Sequence, residues 1–357
     1  MTSPTERHAH VVGLGLIGAS VALALAGAGW RVTGEDIDPD VERRARAAGA
    51  LQGRDAHSDT TLVVVATPAS SVGAVALAAL GANSRDDLVV TDVAGVKGSI
   101  VAEVDDPRFL AGHPMAGSEQ RGPEGARADL FVGCTWVLTP TPATSPQTYG
   151  TLHGVLREIG ANVVAVAAPD HDRLVALASH VPHLLAGALM NEAARAAEED
   201  AVLLQLAAGG FRDMTRVAAG DPSIWPDVLF ENRDAVVVAL RALEERLAAL
   251  RAALDAGSRD VIAQSLASAA QARHQLPGRA LSAENLSYLR VAVTDQPGQL
   301  SVVTTAASET LVNIYDIEIA HGIEGVGGTL LLAVDAQRAD DFCTVLRALG
   351  FTVARET

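Results

Sequence analysis

A histidine and an arginine offer the clearest acid–base and anion-binding chemistry in this sequence. His113 lies within residues 112–117, GHPMAG, directly after a predicted strand. A neutral imidazole with a pKa near the working pH is suited to accept a proton from a hydroxyl group, so we predict that His113 is a general base. Arg216 presents a rigid guanidinium that can hold a carboxylate through two parallel hydrogen bonds. Together they predict a site for proton abstraction from an anionic substrate.

The N-terminal segment carries a glycine pattern that is typical of dinucleotide binding. The sequence GLGLIG at 13–18 follows a predicted strand at 10–12 and precedes a predicted helix at 19–28. The first glycine of such a pattern allows a tight turn, the second lets a pyrophosphate approach the backbone, and the third lets helix and strand pack closely. The helix N-terminus then faces the phosphates. We predict cofactor contacts at Gly13, Gly15, Leu16, Ile17 and Gly18.

The predicted second strand, 30–36, ends in an acidic residue, Asp36. A carboxylate at this position accepts hydrogen bonds from both ribose hydroxyls and repels a 2′-phosphate, which favours NAD over NADP. Alternatively, Asp36 only caps a helix that begins near Pro39. Three further cofactor contacts are predicted where later strands end: Thr67, Pro68 and Asp92.

These residues need a scaffold in which strands and helices alternate. Such alternation of apolar strands with helices indicates a parallel, doubly wound sheet, which binds ligands at the carboxyl ends of its strands. We therefore predict an N-terminal α/β domain of the Rossmann type over residues 1–168. The later strands are predicted at 62–67, 88–92, 109–112, 135–138 and 162–166, with helices near 71–80 and 97–104.

From residue 169 to about 280 the sequence has helical periodicity and no strand pattern. This predicts an all-helical domain for substrate binding and dimerisation. One long helix at 172–195 should be kinked by Pro182. Another, at 234–256, places leucines at alternating spacings of three and four, as in a heptad. That seam packs either inside its own subunit or against a second copy of the chain, and we favour a homodimer.

Composition excludes several classes of partner. The chain has 27 Lys and Arg against 43 Asp and Glu, a net charge of −16, which argues against nucleic acid or an anionic membrane. Its two cysteines match no zinc or disulfide pattern and suit a reducing compartment. The uncharged run at 11–30 resembles a membrane span, but its glycines and the preceding Glu6 argue against targeting. We expect a cytoplasmic protein.

Several motifs, in order, resemble the prephenate/arogenate dehydrogenase (TyrA) family. Besides the glycine pattern they are GHPMAGSE at 112–119, SHVPH at 179–183, GGFRDMTR at 209–216 and DPSIW at 221–225. The resemblance implies an NAD-dependent oxidative decarboxylation of a cyclohexadienol, which turns prephenate into 4-hydroxyphenylpyruvate or arogenate into tyrosine. His113 would take the proton of the ring hydroxyl while hydride leaves, for NAD, the carbon that bears this hydroxyl.

The resemblance also implies a set of substrate contacts. Arg216 corresponds to the arginine that binds the side-chain carboxylate, and Glu119 and Asp213 to acidic residues that gate or order the pocket. Trp225 would supply an apolar wall or a dimer contact, unless it only packs in the core. The predicted set is Ser118, Glu119, His183, Gly209, Asp213, Arg216 and Trp225. His180 and His183 also have a spacing that suits a metal, but no third ligand is identifiable and we predict no metal site.

One position departs from the family pattern. Family members usually carry a serine before Val-Lys-Gly at the turn after the strand 88–92, where it helps to orient the catalytic histidine and the substrate hydroxyl. Gly95 stands at that position here. Either water replaces the missing hydroxyl, or the substrate differs, as in the related subgroup that acts on 4-amino-4-deoxyprephenate.

The C-terminal residues 286–357 have the predicted order βαββαβ and resemble an ACT domain, a small-molecule regulatory module. The turn from Asp295 to Leu300 matches its D-x-P-G-x-L motif, and Asn313-Ile314 matches its second strand. The resemblance implies that tyrosine or a related amino acid binds at Asp295, Gly298, Asn313 and Ile314. The alternative is a ferredoxin-like structural domain without a ligand.

Two other classes of function stay open. A non-catalytic sensor of NAD and an amino acid would tolerate the substitution His113→Asn. A dehydrogenase of the β-hydroxyacid type typically relies on a lysine in the first long helix of its helical domain. Residues 172–195 contain no lysine, which argues against this second class.

Overall fold

The chain divides into two compact units, Met1–Glu245 and Arg246–Thr357. The division into domains at 1–168, 169–280 and 286–357 stays a prediction. The computed structural model describes residues 7–116, 120, 122–200, 202–274, 286–294, 299–312, 314–321 and 328–356.

The first unit opens with a parallel sheet of four strands. Every residue of its third and fourth strands is buried, because the connecting helices of a parallel sheet cover both of its faces. The strands are β1 (His8–Val12), β2 (Arg31–Glu35), β3 (Leu62–Val65) and β4 (Val89–Asp92), in the spatial order β2-β1-β3-β4. The helices are α1 (Leu16–Gly27), α2 (Pro39–Ala47), α3 (Ala69–Ala82) and α4 (Gly98–Glu103).

A second sheet corrects the prediction of an entirely parallel arrangement. Its strand β5 (Ala111–Pro114) is antiparallel to β6 (Thr135–Thr139). A parallel pair needs a crossover connection, usually a helix, but the described residues between β5 and β6 hold only one short 3-10 turn, Pro123–Gly125. The strand β7 (Asn162–Ala165) then follows helix α5 (Pro146–Glu158) and pairs with β6 in parallel.

The predicted kink at Pro182 takes the form of a π-helical turn. Helix α6 (Ala168–Val175) continues into this turn at Ala176–His180 and then into helix α7 (Val181–Glu199). Because proline has no N–H group to donate, the regular hydrogen-bond ladder is interrupted where α7 begins, and the N–H of Val181 instead bonds the carbonyl of Ala176. The turn places the motif at 179–183 beside the end of the sheet.

Helical segments complete the first unit. By length and hydropathy, the continuous stretch Ala168–Glu199 would be long enough to cross a membrane, a property that core helices of soluble proteins share. The remaining helices are α8 (Gly209–Thr215), α9 (Trp225–Glu231) and α10 (Arg233–Asp255), whose residues fall on both sides of the boundary after Glu245, and 3-10 turns lie at Leu203–Leu206 and Arg216–Ala219.

The second unit has the predicted order of elements. After helix α11 (Arg259–His274), its antiparallel sheet has the order β11-β8-β10-β9. Ile314 begins β9, whereas Asp295, Gly298 and Asn313 lie outside the described residues. Its elements are β8 (Leu286–Val293), α12 (Gln299–Glu309), β9 (Ile314–His321), β10 (Gly328–Asp335), α13 (Ala339–Ala348) and β11 (Thr352–Glu356).

Candidate active site

The glycine turn between β1 and α1 has the geometry of a dinucleotide cradle. Gly13 has φ +91°, and a Cβ there would lie 2.4 Å from the carbonyl oxygen of Ala66, so only glycine fits. A Cβ on Gly18 would lie 1.9 Å from the carbonyl oxygen of Gly13, whereas one on Gly15 would meet nothing within 4 Å. The first and third glycines therefore serve close packing, and the second leaves open space. The first N–H groups of a helix lack intrahelical acceptors, so those of Leu16 and Ile17 stay predicted contacts for an anion.

Asp36 joins the end of β2 to the glycine turn. Its Oδ2 accepts a hydrogen bond from the N–H of Leu14 at 2.7 Å, and its Oδ1 accepts one from the N–H of Asp38 at 2.9 Å. Asp38 caps α2 by accepting from the N–H of Asp40, so the alternative in which Asp36 caps that helix is wrong. A carboxylate oxygen can accept more than one hydrogen bond, so Asp36 keeps capacity for ribose hydroxyls.

Replacing Asp36 by alanine should weaken NAD binding by about tenfold to a hundredfold, because hydrogen bonds to a charged acceptor contribute roughly 1.5–3 kcal/mol. The KM for the second substrate at saturating NAD should change little. Calorimetric titration with NAD measures the effect. Asp38→Ala removes the cap of α2 without touching Asp36 and should retain NAD affinity. An unchanged affinity in Asp36→Ala would contradict the ribose-binding role.

The other predicted cofactor residues differ in their surroundings. Thr67 and Pro68 follow β3 at the carboxyl edge of the sheet, and the Thr67 hydroxyl accepts a hydrogen bond from the Ser71 hydroxyl at 3.0 Å. Asp92 is fully buried, and its carboxylate accepts hydrogen bonds from Lys97 Nζ, from the Ala94 N–H and from the Gly112 N–H. The prediction that Asp92 contacts the cofactor is therefore wrong, because this carboxylate has no exposed surface.

Lys97 was not among the predicted site residues. Its side chain is fully buried, and its Nζ donates both to Asp92 and, at 2.7 Å, to the carbonyl oxygen of Gly112, the residue before His113. Burial lowers the pKa of Lys97, whereas the neighbouring Asp92 carboxylate raises it. This ion pair fixes the end of β4 against the end of β5, where His113 projects.

His113 lies at the end of β5 with one ring nitrogen engaged and the other near Gly95. Its Nδ1 is 2.9 Å from Nε2 of His171. A Cβ built on Gly95 would lie 3.8 Å from Nε2 of His113 and 3.8 Å from Cγ1 of Val228, so the missing side chain leaves space beside that nitrogen. Burial, together with the charges of Lys97, His171 and His180, holds the pKa of His113 well below 6.5. The imidazole is therefore neutral at pH 7, as a proton acceptor must be.

Two histidines of the SHVPH motif contact Trp225 of α9 in different ways. The ring of His183 stacks on Trp225 with centroids 3.6 Å apart and an interplanar angle of 15°. His180 meets the same indole edge-on at 6.2 Å, and its Nδ1 lies 3.2 Å from Nδ2 of Asn232. Asn232 also donates to the backbone carbonyl of Asp172 at 2.8 Å. The stacked pair forms an aromatic wall, and Asn232 joins the end of α9 to the buried His180 and to α6.

The buried His180 should make the first unit less stable in acid. Burial is the largest cause that lowers its pKa, to about 4 from 6.5; Asp172 opposes the shift and His171 adds to it. As pH falls from 6.5 to 4, the unfolded chain binds a proton that the folded chain excludes, so the free energy of unfolding falls by up to about 3 kcal/mol.

Urea unfolding followed by tryptophan fluorescence at pH 7 and at pH 4.5 measures this loss, since Trp30, Trp136 and Trp225 all lie in the first unit. His180→Gln, which keeps an amide partner for Asn232, should lose less stability than the unmodified protein between these two pH values. Equal losses in both proteins would contradict the prediction.

The described structure brings only part of the predicted substrate set into direct contact. His183 stacks on Trp225, and a Cβ on Gly220 would lie 3.7 Å from Cε1 of His183, so the turn that Arg216 begins runs beside that ring. Arg216, Asp213 and Gly209 are exposed. Ser118 and Glu119 lie outside the described residues. The residues that sequence reasoning missed are His171, Asp172, Lys97 and Asn232.

Comparison with known proteins agrees with this architecture. Residues 21–165 match a family model described as prephenate dehydrogenase, nucleotide-binding domain, and residues 167–268 match one described as prephenate dehydrogenase, dimerization domain. The NAD-binding α/β fold and the helical dimerisation region that follows it are thereby confirmed.

Individual relatives cover most of the chain. Prephenate dehydrogenase of Bacillus subtilis is 29% identical over 344 residues, 93% of this chain and 92% of the relative. Cyclohexadienyl dehydrogenase of Zymomonas mobilis is 32% identical over 279 residues, 75% of this chain and 95% of the relative. The crystal structure of prephenate dehydrogenase from Aquifex aeolicus, in complex with hydroxyphenyl propionate and NAD+, has a TM-score of 0.71 at 27% identity and covers 77% of this chain and 100% of that one.

Proposed function

The chain belongs to the prephenate dehydrogenase family, and from this premise we propose that it catalyses the NAD-dependent oxidative decarboxylation of prephenate to 4-hydroxyphenylpyruvate in tyrosine biosynthesis. The observation that carries the proposal is the neutral, half-buried imidazole of His113 at the carboxyl edge of a sheet whose first turn fits a dinucleotide. The relatives named above supply the reaction class.

His113 accounts for the proton that the substrate loses in that reaction. Nε2 of His113 accepts the proton of the ring hydroxyl, and hydride leaves the same carbon. NAD, when bound, supplies the hydride acceptor. The electron pair of the bond to the ring carboxylate then moves into the ring as carbon dioxide leaves, and aromatisation makes this step strongly favourable. The turn at Gly13 to Gly18 and the Asp36 carboxylate are the groups that would hold the cofactor.

Arg216, on the exposed turn beside His183, is the proposed anchor for a substrate carboxylate. Arg216→Ala should raise the KM for prephenate about thirtyfold, which corresponds to about 2 kcal/mol for a charge-assisted contact, and should change kcat little. Steady-state kinetics at saturating NAD measure both constants. Arg212→Ala, which removes another exposed arginine from α8, is the matched control and should leave KM within about twofold. A KM unchanged by Arg216→Ala would remove the anchor role.

Arogenate dehydrogenation to tyrosine is the nearest alternative. Gly95 favours a second alternative, a substrate with an amino group at ring position 4. The space beside Nε2 of His113 lies where the 4-substituent of a cyclohexadiene would meet the base, so a substrate with an amino group at that position would be accommodated. The deciding experiment is NADH formation by the purified chain with NAD and prephenate, L-arogenate or 4-amino-4-deoxyprephenate, each with and without tyrosine.

Each result has a distinct meaning. Turnover of prephenate supports the proposal. Turnover of arogenate alone would mean that arogenate is the substrate, and turnover of only the amino analogue would make Gly95 a specificity determinant. Absence of turnover with all three would contradict an enzymatic role and favour the sensor.

We further propose a cytoplasmic homodimer that tyrosine or a related amino acid regulates through the C-terminal unit. The dimerisation match and the helical seam support self-association: Leu247 and Leu254 of α10 are 52% and 67% exposed. The βαββαβ unit supports a regulatory module, with Asp295, Gly298, Asn313 and Ile314 as its ligand contacts. The tyrosine arm of the kinetic experiment tests the effector, and sedimentation tests the dimer.

A further inference from the structure

His171 of α6 connects His113 to the half-buried carboxylate of Asp172. Nε2 of His171 lies 2.9 Å from Nδ1 of His113, and Nδ1 of His171 lies 2.8 Å from Oδ1 of Asp172. The two imidazole rings meet at 71°, with centroids 5.1 Å apart. His171 is only 2% exposed, so water does not compete for its ring nitrogens. Three side chains thus form one hydrogen-bonded chain from the end of β5 into α6.

The protonation states along this chain follow from Asp172. Its Oδ1 accepts the N–H of Lys97 at 2.8 Å and its Oδ2 accepts the N–H of Gly98 at 2.7 Å. Burial alone would raise the pKa of Asp172, but the hydrogen bond from His171 and those from the two backbone groups outweigh it and lower the pKa. The carboxylate is therefore ionised and accepts only.

With Asp172 ionised and both imidazoles neutral, one arrangement of protons satisfies both hydrogen bonds. His171 must donate from Nδ1, so in its neutral form Nε2 of His171 has a lone pair and accepts. His113 must then donate from Nδ1, which leaves Nε2 of His113 without a proton. That nitrogen is the one beside Gly95, where the substrate is proposed to lie. The opposite tautomer of His113 would place two lone pairs against each other.

We propose that Asp172 and His171 are positioning residues that hold His113 in the tautomer with Nδ1 protonated and Nε2 available as the base. The inference rests on the proposed function. When Nε2 takes the hydroxyl proton, the resulting imidazolium still donates from Nδ1 to His171, and the positive charge lies two hydrogen bonds from the Asp172 carboxylate. The proton moves from substrate oxygen to Nε2, and no other reactant is required.

Three variants separate this role from a merely structural one. His171→Phe keeps a planar ring but removes both nitrogens. His171→Gln restores an amide oxygen that can accept from His113 and an amide nitrogen that can donate to Asp172. Asp170→Asn changes the same helix at an exposed carboxylate that pairs with Arg173, and serves as the matched control. Asp172 itself is unsuitable, because it also caps α4 through the backbone of residues 97 and 98.

The kinetic expectation is a selective loss of kcat. A partner that holds the wrong tautomer of a catalytic histidine costs up to about 10⁴-fold in kcat, so His171→Phe should lower kcat a hundredfold or more. The KM values for NAD and prephenate should stay within about threefold. His171→Gln should recover at least tenfold of the loss, and Asp170→Asn should match the unmodified protein. A fully active His171→Phe, or a His171→Gln as impaired as His171→Phe, would overturn the proposal.

A second measurement decides the matter without turnover. Nitrogen-15 NMR of imidazole-labelled protein at pH 7 distinguishes a protonated from an unprotonated ring nitrogen, and the signals of His113 are those that His113→Asn removes. We expect a protonated Nδ1 and an unprotonated Nε2. The opposite tautomer would overturn the proposal even if His171→Phe failed to fold. If none of the three substrates were turned over, the proposed function would be refuted, but the NMR result on the tautomer of His113 would still stand.

Discussion

His113→Asn should lower kcat about 10²-fold to 10⁴-fold, the range that a positioned general base contributes. Asparagine keeps a polar group of similar size at the end of β5 but cannot accept the hydroxyl proton at neutral pH. NAD binding should be retained, because the proposed cofactor contacts lie on the turns after β1, β2 and β3. NADH formation under saturating substrates measures the loss, and calorimetry measures NAD affinity. His153→Asn, in which the lost ring stacks on Tyr149 of α5, is the matched control.

The same residue sets an expectation for the acid limb of the pH profile. A base acts only when unprotonated, and burial with nearby charges holds the pKa of His113 well below 6.5. The value of kcat/KM should therefore stay level from pH 8 to about 6.5 and fall only at lower pH. A fall that begins above pH 7 would contradict a base that is neutral at pH 7. An undiminished kcat in His113→Asn would contradict the base itself.

The sequence predicted the strand–glycine turn–helix unit at the N-terminus because its signals are local. Gly13 is required by its positive φ and Gly18 by its contact with Gly13, both within one strand–turn–helix unit, and Asp36 lies at the end of the adjacent strand. The order of strands and helices followed from apolar runs of ordinary length. The direction of β5 did not, because it depends on a connection that lacks a crossover helix.

The network around His113 was out of reach for the opposite reason. His171 and Asp172 lie at the start of a helix that follows a predicted strand. A histidine next to an aspartate at such a place is as compatible with an exposed first turn as with a buried pair. Only the packing of α6 against the turn after β4 brings His171 to His113, 58 residues away, and Asp172 to the backbone of Lys97, 75 residues away. Pairings of this kind are properties of the tertiary fold, and single-sequence periodicity carries no signal for them.

Asp92 shows how a correct location can carry a wrong role. Its place at the end of β4 suggested a contact with the cofactor, because ligands bind at that edge of the sheet. The buried Lys97 five residues later takes one carboxylate oxygen, and backbone N–H groups bond both. Lys97, in a loop beside an apolar residue, was the available signal for this ion pair. A lysine is almost never fully buried unless it is paired, so a buried Lys97 needs a carboxylate partner.

Lys97→Met should lower the free energy of unfolding of the first unit by about 3–5 kcal/mol, because breaking a buried ion pair leaves an uncompensated buried charge. Both side chains are fully buried, so water cannot solvate the Asp92 carboxylate that remains. Methionine keeps much of the length and volume of lysine, which limits the cavity term. Urea unfolding followed by the fluorescence of the three tryptophans measures the change.

The double variant Asp92→Asn/Lys97→Met separates charge from packing. Removing both charges takes away the uncompensated carboxylate while the asparagine oxygen still accepts from a backbone N–H, so the double variant should be more stable than Lys97→Met alone. A Lys97→Met variant as stable as the unmodified protein would contradict the prediction. Because Lys97 Nζ also holds the carbonyl of Gly112, kcat should fall in both variants even where the fold is retained. The ion pair then serves catalysis by fixing the backbone that presents His113. This role explains why two charges are buried here, where apolar packing would avoid the cost of desolvating them.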